Sequence, residues 1–241
     1  MATAHIRNKS VKMSQKVMDQ SNDFTTYTKD PDRTFRAEWD EEGIFFYQAY
    51  NDSIANWSLK HQQLGGPQFK PFRMTWIKPS FAWMLYRAGF GSKDRNQTRI
   101  LKIKLSHETV SDLLSQCKLS THAGGGGNGR IQWDPERDIM SGNGKEPNRV
   151  PNTRAIQIGL KGHLSELYVN NILSIEDVSA ISEKIGKAHE QMSMASSEKL
   201  QANPMEELSD QLPIERPYVP ACSKEVMHQL GIFTGETKLT E

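Results

Sequence analysis

Cysteine and long apolar stretches are both scarce in this chain. Its 241 residues include two cysteines, Cys117 and Cys222, which is too few for a disulfide framework or a structural zinc site. The histidines show no metal-ligand spacing, so we expect no metal site. No stretch approaches the roughly 18 apolar residues of a membrane-spanning helix. The first residues also lack the apolar run that is typical of a secretory signal. We therefore expect a soluble cytoplasmic or nuclear protein with no membrane partner.

An excess of charge of either sign is also missing. The chain has 30 lysines and arginines against 29 aspartates and glutamates, a net charge of +1. Proteins that bind nucleic acid by bulk electrostatics usually carry a clear positive excess. The balance therefore argues against an extended basic surface, although it is compatible with a local basic groove.

The hydrophobic pattern divides the chain into three parts. Residues 1–31 are polar and lack periodicity, which predicts a flexible N-terminal arm. Residues 32–199 alternate between strand and helix patterns, which predicts one α+β domain with a central, largely antiparallel sheet flanked by helices. From 200 to 241 prolines recur, at positions 204, 213, 217 and 220. We expect this segment to be a Pro-interrupted, disordered C-terminal tail.

Several stretches of the middle part have clear local signals. Strands are predicted over 44–49, 101–105, 155–160 and 171–175, and a helix is predicted to begin at Pro79, a residue suited to a first helical turn. Residues 120–152 are rich in glycine and asparagine, so we expect a long loop containing one ordered island at 132–137.

The segment 73–80 has the strongest functional character. It places two cations, two hydroxyls and an indole beside a predicted helix start, where free backbone N–H groups favour an anion. A phosphate and a stacked ring are the ligands these groups suit. The alternative is that the indole belongs to the hydrophobic core and the cations are exposed to solvent. The candidate residues are Arg73, Thr75, Trp76, Lys78 and Ser80.

A second set of candidates lies where a predicted strand passes into a helix. Tyr47 and Tyr50 could hold a ring between them, and Gln48 and Asn51 could hydrogen-bond to its edge, as polar residues at strand ends often do in α/β layers. The preceding Arg36 could clamp a phosphate in the same crevice. Equally, both tyrosines could be packing residues with solvated hydroxyls.

A third candidate is the polar-aromatic island 132–137. Its carboxylates, Asp134 and Glu136, could act as a general base or bind ribose hydroxyls, since loops of this kind often close over ligands. The alternative is a turn opened by Asp134-Pro135 and anchored by Trp133.

The longest of these blocks resemble the domain of unknown function family 4291. The resemblance rests on Arg36-Ala37, Tyr47 to Tyr50, Arg73 to Phe81, Gln132 to Arg137 and Ile156 to Leu160, and it spans roughly residues 33–180. It implies a domain extent but no activity.

The order of elements also loosely resembles the ADP-ribosyltransferase superfamily. That resemblance implies that Arg36 or Arg73 holds the pyrophosphate of NAD and that Tyr47 and Tyr50 flank the nicotinamide. Gln157 or Glu176 would orient the reacting ribose. Together with Asp134, considered above as a general base, these residues are the catalytic candidates. The superfamily pattern includes a His-Gly-Thr-like triplet, which this chain lacks. The lack of this triplet argues against transferase activity.

Our leading hypothesis from the sequence is therefore a nucleotide-binding protein, an ADP-ribosyltransferase-like transferase that uses an NAD-type cofactor. The second hypothesis is a non-catalytic module that binds RNA or single-stranded nucleic acid. The third is a protein-interaction domain whose aromatic residues belong to the core.

Overall fold

Nine strands and six α-helices are present in the part of the chain that the computed structural model describes, residues 31–120, 127–194 and 203–233. A 3-10 helix, Glu206–Gln211, precedes the last strand. The elements in chain order are β1 (Arg36–Ala37), β2 (Gly43–Tyr50), α1 (Asp52–His61), β3 (Thr75–Ile77), α2 (Phe81–Ala88), β4 (Arg99–Ser106), α3 (His107–Ser115), β5 (Cys117–Leu119), β6 (Gly129–Gly142), β7 (Pro147–Leu160), α4 (His163–Asn170), β8 (Ile172–Asp177), α5 (Ser179–Met194), β9 (Arg216–Pro217) and α6 (Lys224–Gln229).

These strands form two main sheets and a short ribbon. One sheet has the order β2-β4-β8 and the other the order β3-β7-β6-β5, while β1 pairs with β9. Within the named strands, the pairing of β5 with β6 is parallel, and the remaining pairs are antiparallel. The expected α+β class with largely antiparallel pairing is confirmed.

Local sequence signals fix where several helices begin. Asn51, Ser80, Ser106 and Ser223 each precede a helix, and each side-chain oxygen accepts a hydrogen bond from the backbone N–H three residues later. Such caps satisfy a donor that has no partner inside the helix. Because Ser80 caps α2, Pro79 lies just before the helix and not in its first turn.

Two groups of apolar side chains form the core. The larger one joins the sheets to α3, α4 and the C-terminal helix, and the smaller one surrounds α2 and α5. Side chains that are completely buried in the larger group include Phe35, Phe46, Ile77, Leu101 and Ile158.

The C-terminal segment is part of the domain, in contrast to the predicted tail. Of that segment the structure describes residues 203–233, in which Met205, Tyr218 and Leu230 are buried and β9 pairs with β1. Prolines interrupt regular backbone hydrogen bonding, but they do not prevent side chains from docking into a core. The domain therefore continues beyond residue 199. The predicted N-terminal arm, up to residue 30, lies outside the described residues.

The predicted loop at 120–152 is also different in the structure. Residues from Gly129 onward form a long antiparallel hairpin, in which β6 pairs with β7 around a turn at Asn143–Glu146. Its prolines and polar residues hide the strand pattern, because both faces of a protruding hairpin are partly solvated. The part of the prediction that covers 121–126 lies outside the described residues.

One corner joins the two main sheets. The backbone N–H of Tyr47 donates to the carbonyl oxygen of Lys78, just after β3, with an N···O distance of 2.7 Å. Beside it, the side-chain Nε2 of Gln48 donates to Thr75 Oγ1 at 2.7 Å and to the Trp76 carbonyl oxygen at 3.1 Å. The edge strand of one sheet is thus tied to the edge strand of the other.

The same Gln48 amide has both hydrogen-bonding groups engaged. Its Oε1 accepts hydrogen bonds from Tyr168 Oη at 2.6 Å and Tyr50 Oη at 3.2 Å. Because Gln48 is 5% exposed, these partners replace water almost entirely. The side chain is therefore a structural link as well as part of a cavity wall.

Replacing Gln48 by methionine should strongly destabilise the domain. Gln48→Met keeps the volume of the side chain but leaves buried hydroxyls without partners, at a cost of about 2–4 kcal/mol in the free energy of unfolding. Urea denaturation measures this loss. The matched change Gln191→Met, at an exposed position of α5, should alter stability by no more than about 0.5 kcal/mol. Equal stabilities of the two variants would contradict the structural role of Gln48.

Candidate functional site

A cavity of about 680 Å³ opens beside the corner where the two sheets meet. Its wall is built from the end of β2, from β3 and the loop before it, from α2, and from one face of the β6–β7 hairpin. Most of the residues predicted from the sequence lie in this wall: Gln48, Tyr50, Asn51, Arg73, Thr75, Trp76, Lys78 and Gln157.

The remaining predicted residues do not line this cavity: Arg36, Tyr47, Ser80, Asp134 and Glu176. For Tyr47 the reason is the alternation of side chains along a strand. Gln48 and Tyr50 point to the cavity face of β2, whereas Tyr47 points the other way, where its ring lies 4.7 Å from that of Phe81. The single crevice expected around Tyr47 and Gln48 is therefore divided between two faces.

Two loops contribute wall residues that the sequence did not reveal. Gln68 and Lys70 come from the loop before β3, and Asp94, Asn96 and Gln97 come from the loop after α2. Both loops are rich in turn residues and lack periodicity, so nothing in the local sequence marks them as cavity walls. Two further wall residues, Trp83 and Arg87, lie four apart on α2, a spacing that places side chains on one helix face.

The cavity wall has an excess of positive charge. Its charged side chains are Lys70, Arg73, Lys78 and Arg87 against one carboxylate, Asp94. In the described part of the chain, the guanidinium groups of Arg73 and Arg87 make no hydrogen bond or ion pair. By contrast, Lys102 on β4 is paired with Glu38, at an Nζ–Oε1 distance of 2.8 Å. Cations without partners that face a cavity favour an anionic ligand.

Trp76 presents its indole to the cavity because of a glycine on the neighbouring strand. Trp76 is paired with Gly159 of β7, and a Cβ atom at Gly159 would come within 2.7 Å of the indole ring. Glycine thus lets the ring lie flat against the strand. A flat indole at a cavity wall offers a face for a planar ring.

Lys78 is a buried cation at the back of the cavity. It is 7% exposed, its Nζ donates to the Trp76 carbonyl oxygen at 3.1 Å, and it lies 5.1 Å from the ring centroid of Trp83. Burial lowers the pKa of Lys78 to about 7, and the charge of Arg87 acts in the same direction. Because such a lysine is partly neutral at physiological pH, it is able to accept a proton there.

Gln157 presents a hydrogen-bond acceptor to the cavity. Its Nε2 donates to Gln132 Oε1 at 3.0 Å and to a carboxylate oxygen of Asp134. An ionised carboxylate only accepts hydrogen bonds, which fixes the orientation of the amide. The Gln157 Oε1 atom makes no hydrogen bond within the described residues. Burial raises the pKa of Asp134. Its role at the cavity is to hold the Gln157 amide in this orientation.

A second polar cluster lies on the other face of β2, around the start of α2. Ser80 Oγ donates to Glu136 Oε1 at 2.8 Å, and the backbone N–H of Phe81 donates to Glu215 Oε1 at 2.7 Å. Burial and the negative charge of Glu136 together raise the pKa of Glu215 to about 8. A helix N-terminus is a favourable place for a carboxyl group. Here it fixes the C-terminal segment to α2.

Three other predicted residues lie on this side of β2. Tyr47 Oη donates to Glu38 Oε2 at 3.0 Å, and Arg36 Nη2 is paired with Asp32 Oδ2 at 2.7 Å. Glu176 is exposed on β8, opposite Lys102 of β4. Tyr47 and Arg36 are thus engaged with carboxylates, and all three residues lie apart from the cavity wall.

The match to a known family covers both sheets and the cavity. A family model described as Domain of unknown function (DUF4291) matches residues 34–218. The chain belongs to this family. The match ends at Tyr218, so it includes β9 and Glu215 and supports a domain that extends beyond residue 199. No curated protein matches the chain.

Neither a metal-binding group nor a membrane-spanning helix is found among the described residues. In residues 31–120, 127–194 and 203–233, no group of three or more histidine, cysteine, aspartate or glutamate side chains is placed to hold a metal ion. Over the same ranges, no helix has the length and apolar character needed to cross a membrane.

Lys78→Met should stabilise the domain at neutral pH. Lys78 has a pKa of about 7 when folded and an ordinary, higher pKa of about 10.4 when unfolded. The unfolded state therefore binds more protons between these values, so Lys78 contributes a rise in wild-type stability as the pH rises through this range. Removing the amine should add on the order of 1–3 kcal/mol at pH 7. Urea denaturation at pH 7 and pH 9 should show that the stability advantage of the variant over the wild type shrinks at pH 9, and an advantage that is the same at both pH values would contradict the burial of a titrating Lys78.

Glu215→Gln should have the opposite pH signature. The Glu215 carboxyl has a pKa of about 8 when folded and about 4.3 when unfolded, so the folded state binds more protons between these values. Glu215 should therefore contribute a fall in wild-type stability as the pH rises from about 4 to 8. Since the glutamine oxygen still accepts from Phe81, the variant should gain on the order of 1–2 kcal/mol at pH 8 and nothing at pH 4. Glu207→Gln, at an exposed position, is the control, and an equal gain in both variants would contradict this assignment.

Proposed function

We propose that this protein binds a nucleotide in the cavity between its sheets and acts as a transferase of the ADP-ribosyl-transfer type, with NAD as the group donor. One observation carries the proposal: four basic side chains and one carboxylate line a cavity that also contains two indoles, Trp76 and Trp83. A nucleotide combines the two chemical features that such a wall suits, an anionic phosphate and a planar ring.

The cavity is suited to a ligand of this size and charge. Its volume of about 680 Å³ lies within the range of about 300–1,000 Å³ typical of small-molecule sites. Arg73 and Arg87 have no protein partner in the described part of the chain, so their guanidinium groups are available for phosphate oxygens, which they can bind in a bidentate manner. The face of Trp76 is available for the nicotinamide or the adenine.

Gln157 and Lys78 are the wall residues that we assign to the transfer. NAD supplies a ribose whose C1′ forms a bond to an acceptor nucleophile as its bond to the nicotinamide nitrogen breaks, and the neutral nicotinamide leaves with the electron pair. Gln157 Oε1 accepts a hydrogen bond from a ribose hydroxyl and so fixes the ribose. Lys78, with a pKa of about 7, takes the proton that the acceptor loses.

Asp134 and Glu176 have different places in this proposal. Asp134 does not line the cavity but holds the Gln157 amide in its orientation, so it is a positioning residue. Glu176 lies on β8, away from the cavity wall, and we assign it no part in the transfer.

The test is a thermal-shift panel with NAD, ADP-ribose and ATP at two salt concentrations. A ligand at about 100 times its dissociation constant adds roughly 2.7 kcal/mol of stability, which raises the Tm by several degrees in a domain of this size. We expect a shift with NAD or ADP-ribose that persists at high salt. Arg73→Ala should weaken binding by at least about tenfold, as expected for loss of a charge-assisted hydrogen bond.

A matched control separates the site from general charge effects. Arg149 is an exposed arginine of β7 outside the cavity wall, so Arg149→Ala should leave the NAD shift unchanged. Absence of a shift with every nucleotide, or an equal loss in the Arg73 and Arg149 variants, would contradict the proposed function.

A further inference from the structure

A second cavity, of about 720 Å³, adjoins the first. Arg73, Met74 and Trp76 line both cavities, so the two cavities share this part of their walls. The outer part of the second cavity comes from different elements. Arg130 lies near the start of β6, and Lys161 directly follows β7.

Among the described residues, the second cavity is lined by cations and by no carboxylate. Its charged side chains are Arg73, Arg130 and Lys161, and none of them makes a hydrogen bond or an ion pair through its side chain with any residue that the structure describes. The Nε atom of Arg130 is buried and has no hydrogen-bond partner among the described residues, which is costly unless a ligand completes its hydrogen bonding. On the first sheet, in contrast, Arg99 is paired with Asp177 and Lys104 with Asp40.

An exposed aromatic ring stands at the edge of this cavity. Phe72 is 68% exposed, although burial of a phenylalanine is normally favourable. It directly precedes Arg73 in the sequence, and both residues line this cavity. A ring beside several cations is the combination by which proteins bind single strands, with a base on the ring and phosphates on the cations.

We infer that the second cavity binds the acceptor of the transfer and that this acceptor is a single-stranded nucleic acid. The inference rests on the proposed function, because an acceptor must reach the donor ribose, and the two cavities meet at Trp76. Three cations along one wall suit consecutive phosphates of a strand, and Phe72 suits a base. The near-neutral charge of the whole chain, +1, is compatible with this local site because the other basic residues are offset by acidic ones.

The test is fluorescence anisotropy with a labelled 12-nucleotide RNA and its DNA equivalent, at 50 and 200 mM salt. With three phosphate contacts on a single strand, the affinity should fall by roughly 20-fold over this fourfold increase in salt. The double variant Arg130→Ala/Lys161→Ala should weaken binding at least tenfold at low salt and should also reduce the salt dependence. Phe72→Ala, at an exposed position, should weaken binding about fivefold or more without changing the salt dependence, because it removes stacking and no charge.

A matched double variant and a peptide competitor complete the design. Lys145→Ala/Arg149→Ala removes one lysine and one arginine at exposed positions of the β6–β7 hairpin, and it should bind the strand like the wild type. Poly-glutamate at equal charge concentration should not displace the strand. Displacement by poly-glutamate, equal losses in both double variants, or unchanged binding after Phe72→Ala would overturn the assignment to a nucleic acid.

Binding of NAD, followed by thermal shift in the same wild-type preparation, separates the two proposals. A shift with NAD without strand binding would overturn the acceptor inference and leave the proposed function standing. Strand binding without any shift from NAD or ADP-ribose would overturn the proposed function and, with it, the acceptor role of the second cavity. Strand binding together with an NAD shift supports both.

Discussion

The hydrogen bonds that tie β2 to β3 are the constraint on which the rest of this structure depends. They consist of the backbone bond from Tyr47 to Lys78 and the side-chain bonds from Gln48 to Thr75 and Trp76. Because they join the edges of two separate sheets, the sheets diverge from this corner, and the cavity lies in the space beside it. They also fix the backbone that carries Trp76 and Lys78.

The alternation of side chains on β2 separates two polar regions with different character. On the cavity side, Arg73 and Arg87 line the wall and make no ion pair with any described residue. On the other side, the carboxyl groups of Glu38, Glu136 and Glu215 are held by hydroxyl, amide and lysine donors. A region whose polar groups satisfy one another stabilises the fold, whereas unpaired cations around a cavity are a feature of a binding site. This contrast is why we place the function on the cavity side.

The sequence was most informative where a pattern is local. It predicted the α+β class and the strand ending at Leu160, and it singled out residues 73–80 as a candidate ligand site, because helix starts and apolar alternation are encoded by neighbouring residues. It did not distinguish the two faces of β2, since Tyr47 and Gln48 are adjacent and both polar. The register of a strand against its neighbours depends on residues distant in sequence.

The missed features have other causes. The hairpin from Gly129 to Leu160 pairs two consecutive strands, but its prolines and polar residues resemble those of loops. The docking of Tyr218 and Leu230 depends on contacts with segments far away in the chain. The wall residues Gln68 and Asn96 belong to loops whose positions are set by the elements that they connect. Glu215 lies in the segment expected as a tail, so its burial beside Phe81 had no local signal at all.

The most direct test of the central claim, that the cavity between the sheets is the binding site, is an NMR titration of the indole N–H signals with NAD. The chain has five tryptophans, and single Trp→Phe variants assign their signals. The account predicts that the largest changes occur at Trp76 and Trp83, which line the cavity, while Trp39, Trp57 and Trp133 change little. Unperturbed signals for Trp76 and Trp83, or changes confined to the other three tryptophans, would contradict it.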